Sequence, residues 1–398
     1  MEGRISMVAN AEPARSGKAL SPLWLIDSLA MGGAESLAVA FARQAGDQGI
    51  SLRVCTRTTV DGNPLEAELG DAGATLWNLD ARALVDRKAF RRFLEILRQE
   101  RPDVLHAHLT YSSIWAALAA RELGLPLVAS IHVSPERREW RQRLRLMILV
   151  FLLNRWANRV AFVSHSIRRE WIRRTRLDPA RTVVIPNGVT VRAREADQEG
   201  RRRLRAGIGL EPDAFLIVSV AVLREGKGVD ILLLAARDLL LADDRLQVII
   251  VGDGPLREHW QSLAVQHGIA DRVHWLGFRR DVDDILSRCD LFVLPTLADA
   301  FPTVVLEAFA AGVPVIASDV GGIPEIISDT SVGMLVPPGD PDLLAKAIAA
   351  AVSDEAWRAS TAAAARLRVE EEFSTARWAR RLEKLYREVI REGSRARA

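Results

Sequence analysis

Short apolar runs that end in glycine-bearing turns and open onto helical periodicity recur along this chain, and nothing else constrains its fold as tightly. Leu23–Asp27, Leu52–Cys55, Thr75–Leu79, Val104–His106, Leu127–Ile131, Val160–Val163 and Thr182–Ile185 read as strands, with helices between them such as 35–48 and 87–99. Strands that alternate with helices imply parallel pairing, because a parallel neighbour is reached only by a crossover long enough to hold a helix. The pattern halts at Pro186-Asn187-Gly188 and the charged stretch 192–205. It restarts with Phe215–Val220, Leu246–Val251, Val273–Leu276, Leu291–Leu294 and Val313–Ala317. At 398 residues the chain exceeds what one hydrophobic core usually serves. The expectation is an α/β protein of two doubly wound halves: a tail at 1–20, domains at 21–190 and 191–372, and a closing helix and tail at 373–398. In that last piece Trp378, Leu382 and Leu385 share one helical face.

The net charge of +3 gives no reason to expect a nucleic-acid partner. Cys55 and Cys289 fall in apolar runs of different halves and read as free thiols of a reducing compartment. The first 18 residues hold Glu12, Pro13 and Arg15 but no continuous apolar run, unlike a secretory signal, and the run Leu146–Leu153 is too short to cross a bilayer. A cytoplasmic location is expected, at the inner face of the membrane if residues 136–155 touch lipid. That stretch, ERREWRQRLRLMILVFLLNR, places Arg138, Arg141 and Arg145 on one face and Leu144, Ile148 and Phe151 on another. It reads first as a packing helix with a solvated arginine face, and it also suits an anionic lipid surface.

Several strand-to-helix turns carry candidate chemistry. Gly32 and Gly33, just before Glu35, open a helix whose N-terminus presents free N–H groups to an anion. Leu223-Arg224-Glu225-Gly226-Lys227-Gly228 repeats the arrangement, and Lys227 is the only lysine between residues 89 and 345 in an arginine-rich chain. A compact ammonium in a glycine-flanked turn suits a phosphate oxygen. Gly252 and Gly254 in Val251-Gly252-Asp253-Gly254-Pro255 mark a third turn. The fourth begins after Leu294, carries Asp299, and enters a helix near Pro302-Thr303 in which Glu307 is surrounded by Val304, Val305, Leu306, Ala308 and Phe309. A carboxylate buried there needs hydrogen-bond donors, and either a ligand's hydroxyls or a distant arginine would serve. His106, His108 and His132 end neighbouring strands. Three imidazoles can hold a metal, but no clustered carboxylate completes a shell, so none is expected.

MGGAE, the histidine-bearing end of LVASIH, VIPNGV, LxxxKG, VGDGP, LGF and FPTVVLEAFAAGVPVIASDVGGIPE occur here in that order. Together they resemble the GT-B retaining glycosyltransferases of family 4, from about Leu23 to Arg391. The resemblance implies two Rossmann-like domains facing a cleft, with the last helix crossing back to the first domain. It implies a nucleotide sugar, UDP- or GDP-linked, on the second domain and a hydroxyl acceptor (a glycan, a lipid-linked sugar or a small molecule) on the first. Transfer of a hexosyl or N-acetylhexosaminyl group with retention, without metal or other cofactor, follows from it. The family's two glutamates match Asp299 and Glu307. By resemblance Glu307 grips the ribose diol, Asp299 holds sugar hydroxyls, and N–H groups near Phe301, Pro302 and Thr303 meet the diphosphate. Lys227 would stabilise the leaving diphosphate and His132 would contact the transferred sugar. Gly32, Gly33, Gly252, Gly254, Leu276 and Phe278 fall on the donor side, and His108 and Glu35 on the acceptor side.

Two departures stand out. Asp299 is one methylene shorter than the usual glutamate, and Val222 replaces an arginine common in the family. Arg224 would restore that charge if the preceding strand reached far enough to turn it to the same side. The competing readings are a sugar-nucleotide epimerase of the same fold, a non-catalytic sugar-nucleotide-binding subunit, and a Rossmann oxidoreductase. The first turn lacks the dinucleotide spacing that the last requires.

Overall fold

A computed structural model describes residues 20–29, 33–47, 49–58, 64–135, 139–192 and 197–395. The chain forms two compact units: residues 1–188 with 375–398, and residues 189–374. Unit 1 holds β1 (Pro22–Ser28), β2 (Arg53–Thr58), β3 (Thr75–Asn78), β4 (Val104–His108), β5 (Leu127–Ile131), β6 (Arg159–Phe162) and β7 (Thr182–Val184) in the order β3-β2-β1-β4-β5-β6-β7. Unit 2 holds β8 (Phe215–Val220), β9 (Leu246–Val251), β10 (Val273–Gly277), β11 (Leu291–Leu294), β12 (Val315–Ser318) and β13 (Met334–Val336) in the order β10-β9-β8-β11-β12-β13. The named strands pair in parallel in both sheets, as the helical crossovers require. Both are Rossmann-like.

Strands covered on both faces read as unbroken apolar runs, which is why β4, β5, β9 and β11 are legible in the sequence and fully buried here. The sequence reading passes over β13. Its three residues between Gly333 and Pro337 are too few to show a period, and pairing of Ile316, Ala317 and Ser318 with Met334, Leu335 and Val336 makes it a strand.

The last helix, Thr375–Arg395, belongs to unit 1 although the chain reaches it through unit 2. Trp378, Leu382, Leu385, Tyr386 and Val389 are buried in the unit 1 core with Trp24 and Phe41. Trp24 packs at 4.7 Å from Phe41 and 6.2 Å from Trp378, ring centre to ring centre. Fully burying a large apolar side chain contributes about 1.5–3 kcal/mol, so this stripe holds the helix in place. Cys55 and Cys289 are buried free thiols. Among the described residues no helix is long and apolar enough to cross a membrane.

Candidate active site

In unit 2 the strand order reverses between β8 and β11, and doubly wound sheets open a crevice at the carboxyl ends of strands so placed. The loops leaving these two strands are bound to each other. Leu297 N donates to Gly226 O at 2.8 Å, and Thr296 Oγ1 donates to the same oxygen at 3.0 Å. Gly228 lies at φ 71°, and a Cβ there would stand 1.9 Å from Pro295 O. Across this contact Lys227 Nζ donates to Asp299 Oδ2 at 2.7 Å. The two side chains are only 16% and 17% exposed, so water screens the pair far less than a surface ion pair.

The turn after β9 lies on the turn after β8. Leu223 N donates to Asp253 O and Leu256 N to Leu223 O, both at 2.9 Å. A Cβ on Gly252 would come within 1.9 Å of Ala221 O, and one on Gly254 within 2.5 Å of Leu223 O. These two glycines permit backbone to meet backbone. Gly252 N also donates to Gly277 O at 2.8 Å, which ties in the end of β10, where Leu276 is half-buried and Phe278 exposed.

The strand that would have turned Arg224 to the side of Val222 does not reach it. β8 ends at Val220, and Arg224 N donates to Val222 O within a tight turn, so no strand carries Arg224 to the face of Val222. Arg224 is exposed, three residues before Lys227 in the same turn.

The helix Thr303–Ala310 starts beyond Asp299, with Pro302 as the residue before its first turn. Glu307 in that helix keeps some exposure, less buried than its apolar neighbours suggest. Desolvation nonetheless pushes its carboxyl up to about 7. The nearby Asp283 charge adds to the rise, and a hydrogen bond from the Thr303 side chain opposes it. Among the described residues no cation pairs with Glu307, so the distant-arginine explanation is not realised. Phe301 is buried 5.8 Å from Phe373, which makes its side chain a packing element; any contact from this position to a ligand is through backbone. Gly321 is a residue the sequence reading missed. At φ 57° its Cβ would lie 1.7 Å from Asp299 O, so only glycine lets the turn after β12 close on the Asp299 loop. The adjacent Gly321-Gly322 pair behind an apolar strand is the signal that could have found it.

Unit 1 reverses its strand order between β1 and β4. His106 and His108 alternate along β4 and so share one face, with Trp24 opposite His106 in β1 and Ser130 opposite His108 in β5. Trp24 Nε1 donates to Tyr386 Oη at 3.0 Å, His106 Nδ1 lies 2.5 Å from Tyr386 Oη, and His106 Nε2 lies 2.8 Å from Ser130 Oγ. One assignment satisfies the indole, phenol and imidazole protons: Tyr386 donates to His106 Nδ1, and His106 donates from Nε2 to Ser130. His108 Nδ1 lies 3.2 Å from His132 Nε2. Burial holds all three imidazoles neutral: His106 falls to about 3, His132 to about 4, and His108 well below its ordinary value.

His108 was expected to face the acceptor. It is buried instead, its ring tilted against Trp24 at 4.3 Å between centres and stacked on His132, which is partly buried and which it supports. Four of the six ring nitrogens of these histidines have hydrogen-bond partners inside the protein or in each other, and His108 Nε2 is buried with none among the described residues. Among the described residues no group of three His, Cys, Asp or Glu side chains is placed to hold a metal ion. Leu109, directly after His108, adopts φ 72° and ψ 178°, a strained conformation costing about 1–3 kcal/mol at the mouth of this cluster. Gly32 lies outside the described residues. Gly33 and Glu35 stand in the first turn of the helix Gly33–Asp47, with their side-chain surroundings also outside the description. Asp27, at the end of β1, accepts from Ser112 N at 2.7 Å and Ser112 Oγ at 2.6 Å, so it anchors the start of the helix Thr110–Leu123 and is not free for a ribose.

Residues 200–368 match the family model described as glycosyl transferases group 1, and residues 31–192 match the one described as glycosyltransferase family 4. The chain belongs to this glycosyltransferase family. The glycosyltransferase is 29% identical over 350 residues to a D-inositol 3-phosphate glycosyltransferase of Streptomyces scabiei, which covers 80% of this chain and 78% of that protein. It is 26% identical over 309 residues to the gpi3 subunit of the Schizosaccharomyces pombe phosphatidylinositol N-acetylglucosaminyltransferase, covering 77% of this chain and 65% of the subunit. The chain thus spans slightly less than two thirds of that relative's length. Among solved structures, HepE of Anabaena in complex with UDP and glucose superposes with a TM-score of 0.81 at 22% identity, over 92% of this chain and 98% of that one. That likeness establishes the GT-B fold of the glycosyltransferase.

Proposed function

We propose that this glycosyltransferase moves a hexosyl or N-acetylhexosaminyl group from a UDP- or GDP-linked sugar to a hydroxyl acceptor, with retention of anomeric configuration and without a metal. The observation that carries the reading is the convergence at the switch point of unit 2. The Lys227–Asp299 pair and the glycine turns meet at one sheet edge, and the helix that starts beyond Asp299 carries Glu307, half-buried and paired with no cation among the described residues. Two vicinal ribose hydroxyls donating to Glu307 supply the partners that a desolvated carboxylate lacks. The diphosphate falls to Lys227, with the exposed Arg224 beside it, and to the N-terminus of the helix Thr303–Ala310, whose first N–H groups favour an anion. Positive charge held next to the departing diphosphate is the largest aid a metal-free site of this kind gives to bond cleavage. Asp299 is assigned to the sugar hydroxyls. In unit 1 the acceptor is assigned to the carboxyl edge that carries His132, with His132 contacting the transferred sugar and His108 holding that ring. No side chain is assigned as a covalent nucleophile, and transfer on the front face follows. Complexes of HepE with UDP and with UDP-glucose support a uridine nucleotide as the first donor to try.

The test is a screen of UDP- and GDP-sugars for thermal stabilisation and for diphosphate release, with the anomeric configuration of the product read by NMR. Lys227→Ala is expected to abolish donor binding. Epimerised donor without any acceptor, inverted product, or a trapped glycosyl–enzyme adduct each contradicts part of the proposal.

A further inference from the structure

The helix Trp140–Trp156 is apolar on two opposite faces. Leu149, Val150, Leu152 and Leu153 are buried, and the helix packs on the helix Thr110–Leu123. On the other side Trp140, Leu144, Met147, Ile148 and Phe151 are each between 44% and 69% exposed. At about 100° per residue these five fall within one arc of about 100°, a stripe running along the helix. Arg141 and Arg143 stand exposed on its two flanks, with the Arg141 guanidinium 5.3 Å from the Trp140 ring centre, and no Asp or Glu occurs between residues 140 and 156. Arg145 is engaged with the Tyr111 hydroxyl at 2.9 Å. A contiguous stripe of five exposed apolar side chains, two of them aromatic, with an arginine on each flank is the kind of patch that marks an interaction site.

We propose that this stripe docks the protein, helix axis in the membrane plane, on a bilayer that carries anionic lipid. The apolar side chains enter the boundary between headgroups and acyl chains, and Arg141 and Arg143 meet lipid phosphates. Charge decides against a second copy of this chain as the occupant. A two-fold contact through the stripe would set its arginines against one another, with no carboxylate within 140–156 to meet them and Glu139 only at the end of the helix. The helix begins eight residues after His132, at the carboxyl edge of unit 1, so docking brings that edge to the lipid surface. On the reading that unit 1 takes the acceptor, the acceptor is then an amphiphile presented by the bilayer.

Co-sedimentation of the full chain with vesicles of phosphatidylcholine, pure or mixed with phosphatidylglycerol, tests this. Binding is expected to the mixed vesicles, to weaken with added salt, and to be much weaker on the pure ones. Trp140→Ser combined with Phe151→Ser should cost at least about tenfold in partitioning, since each removes a large exposed apolar group. Arg141→Glu combined with Arg143→Glu should remove the preference for phosphatidylglycerol. Both pairs are exposed, so thermal unfolding and stabilisation by nucleotide sugar should stay as in the parent. No binding to the mixed vesicles, or binding unchanged in both variants, overturns the proposal. So does self-association that Trp140→Ser with Phe151→Ser abolishes in the absence of vesicle binding. Failure of nucleotide-sugar stabilisation in the parent would count against the donor site alone, because vesicle binding does not depend on it.

Discussion

Glu307→Gln should stabilise unit 2 at neutral pH while weakening nucleotide-sugar binding. The carboxyl titrates at about 7 in the folded protein, against 4.5 when unhindered. Below pH 4.5 it is neutral in both folded and unfolded chains and changes nothing. Between 4.5 and 7 the unfolded chain ionises while the folded one keeps its proton, so stability falls as pH rises, and above 7 the penalty is constant. That window amounts to about 3 kcal/mol at about 1.4 kcal/mol per pH unit, and partial exposure of the side chain brings the expected gain to roughly 1–3 kcal/mol. The neutral amide escapes the penalty. For a unit of this size the gain is a rise of roughly 3–10 °C in Tm at pH 8. The assay is thermal unfolding of parent and variant from pH 4 to pH 8, reading the difference so that other titrating groups cancel. That difference should be large at pH 8 and vanish near pH 4. A gap that is absent at pH 8, or equal at both ends, would refute desolvation of Glu307 as the cause. The same residue should couple binding to protons. If ribose hydroxyls donate to the ionised carboxylate, nucleotide-sugar affinity rises with pH up to about 7 and calorimetry at pH 6 shows proton release.

Tyr386→Phe leaves the Trp24 N–H and the His106 Nδ1 without partners in a dry core. Leaving each such group unsatisfied costs about 1–3 kcal/mol, so unit 1 should lose roughly 2–5 kcal/mol in urea titrations. Gly321→Ala forces the Asp299 loop away, because its Cβ has no space beside Asp299 O; nucleotide-sugar affinity should drop while the unfolding of unit 1 is unchanged. Arg224→Ala should weaken donor binding less than Lys227→Ala does, since Arg224 is exposed and Lys227 is held by Asp299; calorimetric titration with UDP-sugar ranks the two. His132 lies low, at about 4, so its protonation should not limit activity in a pH–rate profile above about pH 5.

The local features of the site were legible because they are local. A glycine needed for a left-handed or crowded turn, such as Gly228 or Gly252, a lone Lys227 in that turn and a Glu307 among apolar residues are visible in a few letters of sequence. Helix periodicity likewise showed that Trp378, Leu382 and Leu385 would be buried. Gly321 was overlooked because what crowds it, Asp299 O, is 22 residues earlier in the chain. The reach of the strand before Arg224 was not legible because where a strand stops is set by its pairing with neighbours, and β8 pairs with β9 only through Val220.

By itself, then, the sequence determined the alternation of parallel strands and helices, the two halves and the residue types gathered in each turn, since these follow from periodicity and backbone sterics. Only the tertiary structure decided the pairings. Lys227 and Asp299 are 72 residues apart and His106 and Tyr386 280 apart; the neighbouring places of β8 and β11 bring the first pair within hydrogen-bond reach, and the docking of the last helix on unit 1 brings the second. It also decided which apolar face of the helix Trp140–Trp156 is covered. Both faces look alike in composition, and burial is a property of what lies opposite.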